Sequence, residues 1–200
     1  MSVTHKHSPS PALGFWDGFT RRWTAKVYLL LGMRARAMEV FQDILSLAPD
    51  DVQALNSLGY DALNTGHPAQ ALPYFEKVAQ LVESSNAHFN VAFTCEILGR
   101  LDEAERRFRA AIALEEKMDR AWYGLGLVLV RQHRMEEAVV ALKKNTQLQP
   151  MSPFGWYQLA RVHVELNEPE KATTVIQHLQ GFEPKVAAQL RRETGLGGPV

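Results

Sequence analysis

A small residue followed four positions later by a large apolar one recurs along the chain: Ala37/Phe41, Ala71/Phe75, Ala104/Phe108, Ala138/Leu142 and Ala172/Ile176. The gaps between successive pairs are 34, 33, 34 and 34 residues. A second line of small residues, Ala25, Gly59, Ala92, Gly126 and Ala160, keeps the same gaps. So does a third line of turn residues, Gly32, Gly66, Gly99, His133 and Asn167. Proline closes three of the five units, at Pro49, Pro150 and Pro184. Self-similarity at a fixed period of this length marks a stacked repeat. Each unit reads as two short amphipathic helices, the first ended by the turn line and the second by the unit boundary. The two lines of small residues let neighbouring helix backbones approach. Large side chains such as Phe75, Phe108, Trp122 and Leu125 are expected to fill the space between pairs. No unit buries its apolar face alone, so the units should stack into an all-α, right-handed superhelical solenoid of antiparallel helix pairs.

The period and the residues Leu58, Gly59, Gly66, Ala71 and Phe75 resemble the tetratricopeptide repeat (TPR). Gly99, Ala104, Phe108 and Ala111 continue the resemblance, as do Trp122, Leu125, Gly126, Ala138 and Pro150. It covers about residues 18–184, in units of approximately 18–51, 52–84, 85–118, 119–152 and 153–184. Two departures stand out. Arg21 occupies the place of a large residue in the first unit, and Asn167 replaces the turn glycine in the fifth. Pro73 falls inside a second helix, where it removes one hydrogen bond. Residues 185–200 are expected to form a short capping helix over Lys185 to Glu193 and a loose tail, with Gly195 as the helix C-cap. Residues 1–17 are expected to be a polar and aromatic segment, partly disordered.

Composition narrows the function. Lys+Arg and Asp+Glu both number 22, so the formal charge is zero, which argues against a protein built to neutralise nucleic-acid phosphates. Cys95 is the lone cysteine, which excludes an intramolecular disulfide and fits a reducing, cytoplasmic setting. No stretch reaches the ~18 apolar residues of a membrane span. The N-terminus lacks the apolar run of a secretory signal. Catalytic motifs are missing: no GxxxxGK[ST] loop and no GxSxG elbow. His163 and His178 share a unit, but neither has a carboxylate or thiol partner at ligand spacing. Cys95 reads as a buried packing thiol. Glu103, Glu136, Glu137 and Glu170 suit helix N-termini, and Glu105 is expected to face outward. The chain is therefore read as non-enzymatic, with no cofactor and no metal.

What remains is surface. In arrays of the family that the chain resembles, the first helices line a concave groove. The matching positions are Gln53, Asn56, Tyr60 and Asn64 in unit two, and Asn86, Phe89 and Phe93 in unit three. Unit four supplies Arg120, Tyr123, Leu127 and Arg131, and unit five Phe154, Tyr157, Arg161 and Glu165. The resemblance thus implies an aromatic and aliphatic stripe with arginines toward its C-terminal half, and such side chains commonly anchor protein interfaces. Phe89, Tyr123 and Tyr157 serve packing between first helices as well. The family's clamp for chaperone C-termini is not matched by Asn56, Tyr60, Phe93 and Arg120. The expected role is an adaptor or assembly scaffold for complex assembly that binds a partner peptide or amphipathic helix. Self-association is compatible with the same surface.

The other feature is N-terminal. Lys6, Arg21, Arg22, Lys26, Arg34 and Arg36 face Asp17 alone within residues 1–36, a surplus of five cations. Phe15, Trp16, Phe19, Trp23, Val27 and Leu30 share one helical face, with Arg22 and Lys26 on its edge. The reading taken is that residues 18–31 form the first helix of unit one and bury this face against unit two. The alternative is a membrane-surface segment, with the protein peripheral at the inner face of a membrane and recruiting partners to a larger assembly.

Overall fold

The computed structural model describes residues 15–196, with side chains from Gly18 onward, so the polar segment before Phe15 and the side chains of Phe15 and Trp16 lie outside the described residues. All regular structure among them is helical. The helices are α1 (Phe15–Leu30), α2 (Arg34–Leu47), α3 (Val52–Asn64), α4 (Pro68–Leu81), α5 (Ser85–Ile97), α6 (Leu101–Leu114), α7 (Asp119–Arg131), α8 (Met135–Leu148), α9 (Pro153–Glu165), α10 (Pro169–Gln180) and α11 (Pro184–Thr194). They alternate as first and second helices of successive pairs, an all-α helical-repeat solenoid. The chain divides into two compact units, one ending at Val82 with α1 to α4, the other beginning at Glu83 with α5 to α11.

Every pair turns in the same way. Gly32, Gly66, Gly99, His133 and Asn167 all have φ between 57° and 77°. The amide after each of them donates to a carbonyl five residues back: Met33 to Tyr28, His67 to Ala62, Arg100 to Cys95, Arg134 to Leu129 and Glu168 to His163. The amide of the left-handed residue itself donates three residues back. These are Schellman closures, which satisfy the carbonyls that a helix end leaves open. Entry into the next helix is set by side chains or by proline. Asp51 caps α3 through Oδ1 to the Ala54 amide at 2.9 Å, and Ser84 caps α5 through the Ala87 amide at 3.2 Å. Proline stands in the first turn of α4, α9, α10 and α11, where its missing N–H costs nothing.

The core is the line of small and large residues read from the repeat. Ala37, Ala71, Ala104, Ala138 and Ala172 are fully buried, and so are Phe41, Phe75, Phe108, Leu142 and Ile176. Gly59, Gly124 and Gly126 of the first helices lie against that second set. A Cβ added at Gly59 would stand 2.7 Å from the Phe75 ring, and one at Gly126 2.7 Å from Leu142. Helix α11 packs on α9 and α10 through Ala187 and Leu190. Its C-cap is Gly195 at φ 69°.

Three expectations need correction. Helix α1 begins at Phe15, three residues before the expected start. It does pair with α2, but through its small side: Ala25 joins Phe41, Ile44, Ala54 and Leu58 in the core. The large apolar face is not buried. Phe19, Trp23, Val27 and Leu30 are all exposed, Trp23 by 53% and Leu30 by 85%. Phe19 and Leu30 stand where α7 carries the exposed Arg120 and Arg131; for Val27 the reason lies in the repeat. At the equivalent place in α7 and α9, Val128 and Val162 are fully buried, where α6 packs on α7 and α8 on α9; no second helix precedes α1 among the described residues. Finally, Glu105 does not point freely outward. Its carboxylate meets Arg109 at 2.9 Å and Arg134 at 2.6 Å.

Candidate functional site: the face of the first helices

In the C-terminal unit, α5 lies beside α7 and α7 beside α9. The face they share is ordered by pairings one repeat apart. Phe89 and Phe93 stack with ring centroids 6.1 Å apart, and Phe89 meets the buried Phe108 edge-on. The Arg120 guanidinium lies over the Phe89 ring at 4.4 Å and donates to Asn86 Oδ1. Arg131 donates through Nη1 to the Glu96 carbonyl at 2.8 Å and to its carboxylate at 2.7 Å. Tyr157 donates to Glu193 Oε2 at 2.6 Å, and Arg161 stands over the Tyr157 ring at 5.9 Å.

The electrostatics follow from these contacts. The hydrogen bond to Glu193, then burial, raises the Tyr157 phenol, while the same bond, joined by one from Gln189, lowers the Glu193 carboxyl. Burial raises Tyr123, which also bonds Gln158. Two of the arginines expected to face a partner, Arg120 and Arg131, therefore tie consecutive repeats together. Arg161 lines an open cavity of about 450 Å³ with Tyr157, Val164, Glu165, Glu193 and Thr194. The apolar part of the face stays open, with Phe93 41% exposed and Leu127 partly so.

In the N-terminal unit the expected residues lie on α3. Asn56 Nδ2 donates back to the Val52 carbonyl at 3.0 Å. Tyr60 is exposed and packs edge-on against Phe75 at 5.2 Å. It borders a cavity of about 490 Å³ together with Leu29, Arg34, Met38, Ser57, Asp61 and Asn64. Arg34 closes one side by donating through Nη2 to the Asp61 carbonyl at 2.8 Å. Leu29, Met38 and the partners Glu96 and Glu193 were not singled out from the sequence. The pairs Asn86/Arg120, Glu96/Arg131 and Tyr157/Glu193 lie 34, 35 and 36 residues apart; a search for complementary side chains at the repeat period would have found them.

Among the described residues no group of three or more His, Cys, Asp and Glu side chains is placed to share a metal ion. His163 is buried, with Nδ1 2.6 Å from Glu168 Oε2, and this pair spans the turn between α9 and α10. Cys95 is fully buried. No helix among the described residues is long and apolar enough to cross a membrane.

Residues 22–51 and 98–145 match family models described as tetratricopeptide repeat. Human protein O-mannosyl-transferase TMTC3 is 28% identical over 153 residues, which are 68% of this chain and 17% of that protein. The chain thus spans under a fifth of that relative's length. Among solved structures, the MamA protein superposes with a TM-score of 0.77 at 17% identity, over 92% of this chain and 98% of that one. YrrB, described as a TPR protein with an unusual peptide-binding site, also reaches 0.77 at 17% identity, over 88% of this chain and 92% of that one.

Proposed function

The chain belongs to the tetratricopeptide-repeat family, and from that premise we propose that it is a non-enzymatic scaffold which holds a partner segment on the first-helix face of α5, α7 and α9. The general role in protein interaction follows from the family. The finer reading is supported by one observation above all: Phe93 and Leu127 present apolar surface one repeat apart, between the Arg120–Phe89 stack on one side and Arg161 on the other. Apolar anchors flanked by oriented guanidinium groups are the usual makeup of an energetic centre in an interface. The pairings of Arg120 and Arg131 also hold neighbouring helices in register, and a face rigid before binding loses less entropy on complex formation. The segment that fits is an amphipathic helix or an extended strand with two apolar side chains and an acidic group that meets Arg161.

A displayed peptide library selected on the full chain tests this directly. Selected peptides should share paired apolar residues with a nearby acid. Phe93→Asn with Leu127→Asn should weaken them about tenfold or more, the effect of losing ~1.4 kcal/mol or more of anchor contact. Gln177→Ala, exposed on α10, is the control and should change nothing. Selected peptides that bind the double variant as tightly as the parent would show that the partner uses another surface.

A further inference from the structure

We propose that the open face of α1 is a docking site for an anionic lipid surface, into which Phe19, Trp23, Leu30 and Leu31 insert while Lys26 and Arg36 meet the headgroups. This is independent of the groove reading and rests on different residues.

Phe19, Trp23, Val27, Leu30 and Leu31 form a contiguous apolar edge along α1 and the turn that follows it, with Leu31 66% exposed. An apolar edge of this kind on a surface marks a contact.

The equivalent of Trp23 in α7 is Gly124, whose missing Cβ leaves room for the Phe108 ring at 2.3 Å from the Cβ position. A helix of the same kind placed over α1 would meet the Trp23 indole there. The same place in α3, α5 and α9 holds Ser57, Asn90 and Gln158, all smaller than an indole. The open face is also too small for a stable dimer by itself. Helix α1 has 16 residues, about 24 Å of length by about 10 Å of breadth. That is a few hundred Å² per partner, against the ~800 Å² per partner of a specific protein interface. A lipid surface sets no such area requirement, because each protruding side chain leaves water on its own account.

Trp23 and Phe19 are in edge contact, with Lys26 Nζ 5.7 Å from the Trp23 ring. An aromatic cluster with a lysine at its rim is the arrangement in which the rings sit at headgroup depth and the amine extends to phosphate. Arg22 is engaged elsewhere, 3.0 Å from Asp51, and Arg21 approaches Asp43 at 3.9 Å. Lys26 and Arg36 make no ion pair among the described residues. They are the cations left to an anionic partner, and each adds to the attraction toward such a surface.

Co-sedimentation of the full chain with phosphatidylcholine vesicles, with and without phosphatidylserine, tests the proposal. The parent should pellet with the anionic vesicles and release as salt is raised. Trp23→Ser with Leu30→Ser should lower the partition at least about tenfold, with helicity and the melting curve unchanged. Lys26→Glu should weaken binding to anionic vesicles only. Brominated lipid provides a readout in a Trp16→Phe background, which removes the other tryptophan of α1: it should quench tryptophan fluorescence, and adding Trp23→Phe, a conservative change, should abolish most of that quenching. A parent that stays in the supernatant with both vesicle types overturns the proposal, as does quenching that survives Trp23→Phe. A concentration-dependent dimer in sedimentation without lipid, dissolved by the double change, would also overturn it and assign the face to a second copy of the chain.

Discussion

Glycine to alanine in a helix interior ordinarily stabilises by about 1 kcal/mol, and Gly124→Ala should do the opposite. Gly124 lies mid-way along α7, where its absent Cβ makes room for the ring of Phe108 from α6. The added methyl would stand 2.3, 2.6 and 2.9 Å from three carbons of that ring. Contacts that short need one partner to move by about an ångström. Phe108 cannot move freely: it is fully buried and packed edge-on against Phe89. Overpacking costs about 1–3 kcal/mol, and a 2.3 Å contact with a fully buried ring belongs in the upper part of that range, about 2–3 kcal/mol. Set against a propensity gain of about 1 kcal/mol, the net loss should be about 1–2 kcal/mol. Urea denaturation followed by circular dichroism would measure it. The diagnostic is the second step. With Phe108→Leu in place the obstacle is smaller, and Gly124→Ala should then be neutral or stabilising, a coupling of about 1–2 kcal/mol between the two sites. A Gly124→Ala variant as stable as the parent, or strict additivity with Phe108→Leu, would refute this account of how α6 and α7 pack.

Other changes follow from the same geometry. Phe108→Ala should cost about 3–5 kcal/mol and Ile176→Ala about 2–3 kcal/mol by the same denaturation, because both are fully buried and isoleucine leaves the smaller cavity. His133→Gly should raise stability by about 0.5–1 kcal/mol, since a β-carbon in the left-handed region costs more than glycine's extra unfolded-state freedom; a lower melting temperature would contradict it. Hydrogen bonds from Lys171 and then His163 hold the Glu168 carboxyl below its ordinary value of 4.5. Its contribution should thus be complete above that value and fade as pH falls through the lower folded-state value. Glu168→Gln should flatten that part of the stability profile in acid melts.

Much of the fold was legible because the repeat encodes it several times over. The turn line read as Gly32, Gly66, Gly99, His133 and Asn167 is the set of residues with positive φ in the first five pairs. The alanine and large-residue lines are the core. A period of 34 residues carries this information without any knowledge of the partner helix. What it does not carry is which helix face has a neighbour. The apolar stripe of α1 looks, by spacing, like a buried face. At Val27 it is exposed because burial there depends on a preceding second helix, a non-local fact, and Phe19 and Leu30 stand where α7 carries the exposed Arg120 and Arg131. The expected site residues were legible as a face, from Phe89 to Arg161, but their roles were not. Arg120 and Arg131 read as free cations until the structure placed Asn86 and Glu96 beside them. Charge pairing across repeats is set by rotamers and helix crossing, which periodicity of apolar residues does not specify.

The central claim is that the first helices of the C-terminal unit form the binding face. Side-chain footprinting by hydroxyl radicals, with and without a peptide selected on the full chain, tests it most directly. The account predicts protection of Phe93, Tyr123, Leu127 and Tyr157 on binding, with Val140 on α8, 66% exposed, unchanged. Protection at Val140 and along the second helices, with Phe93 and Leu127 reacting as before, would contradict it.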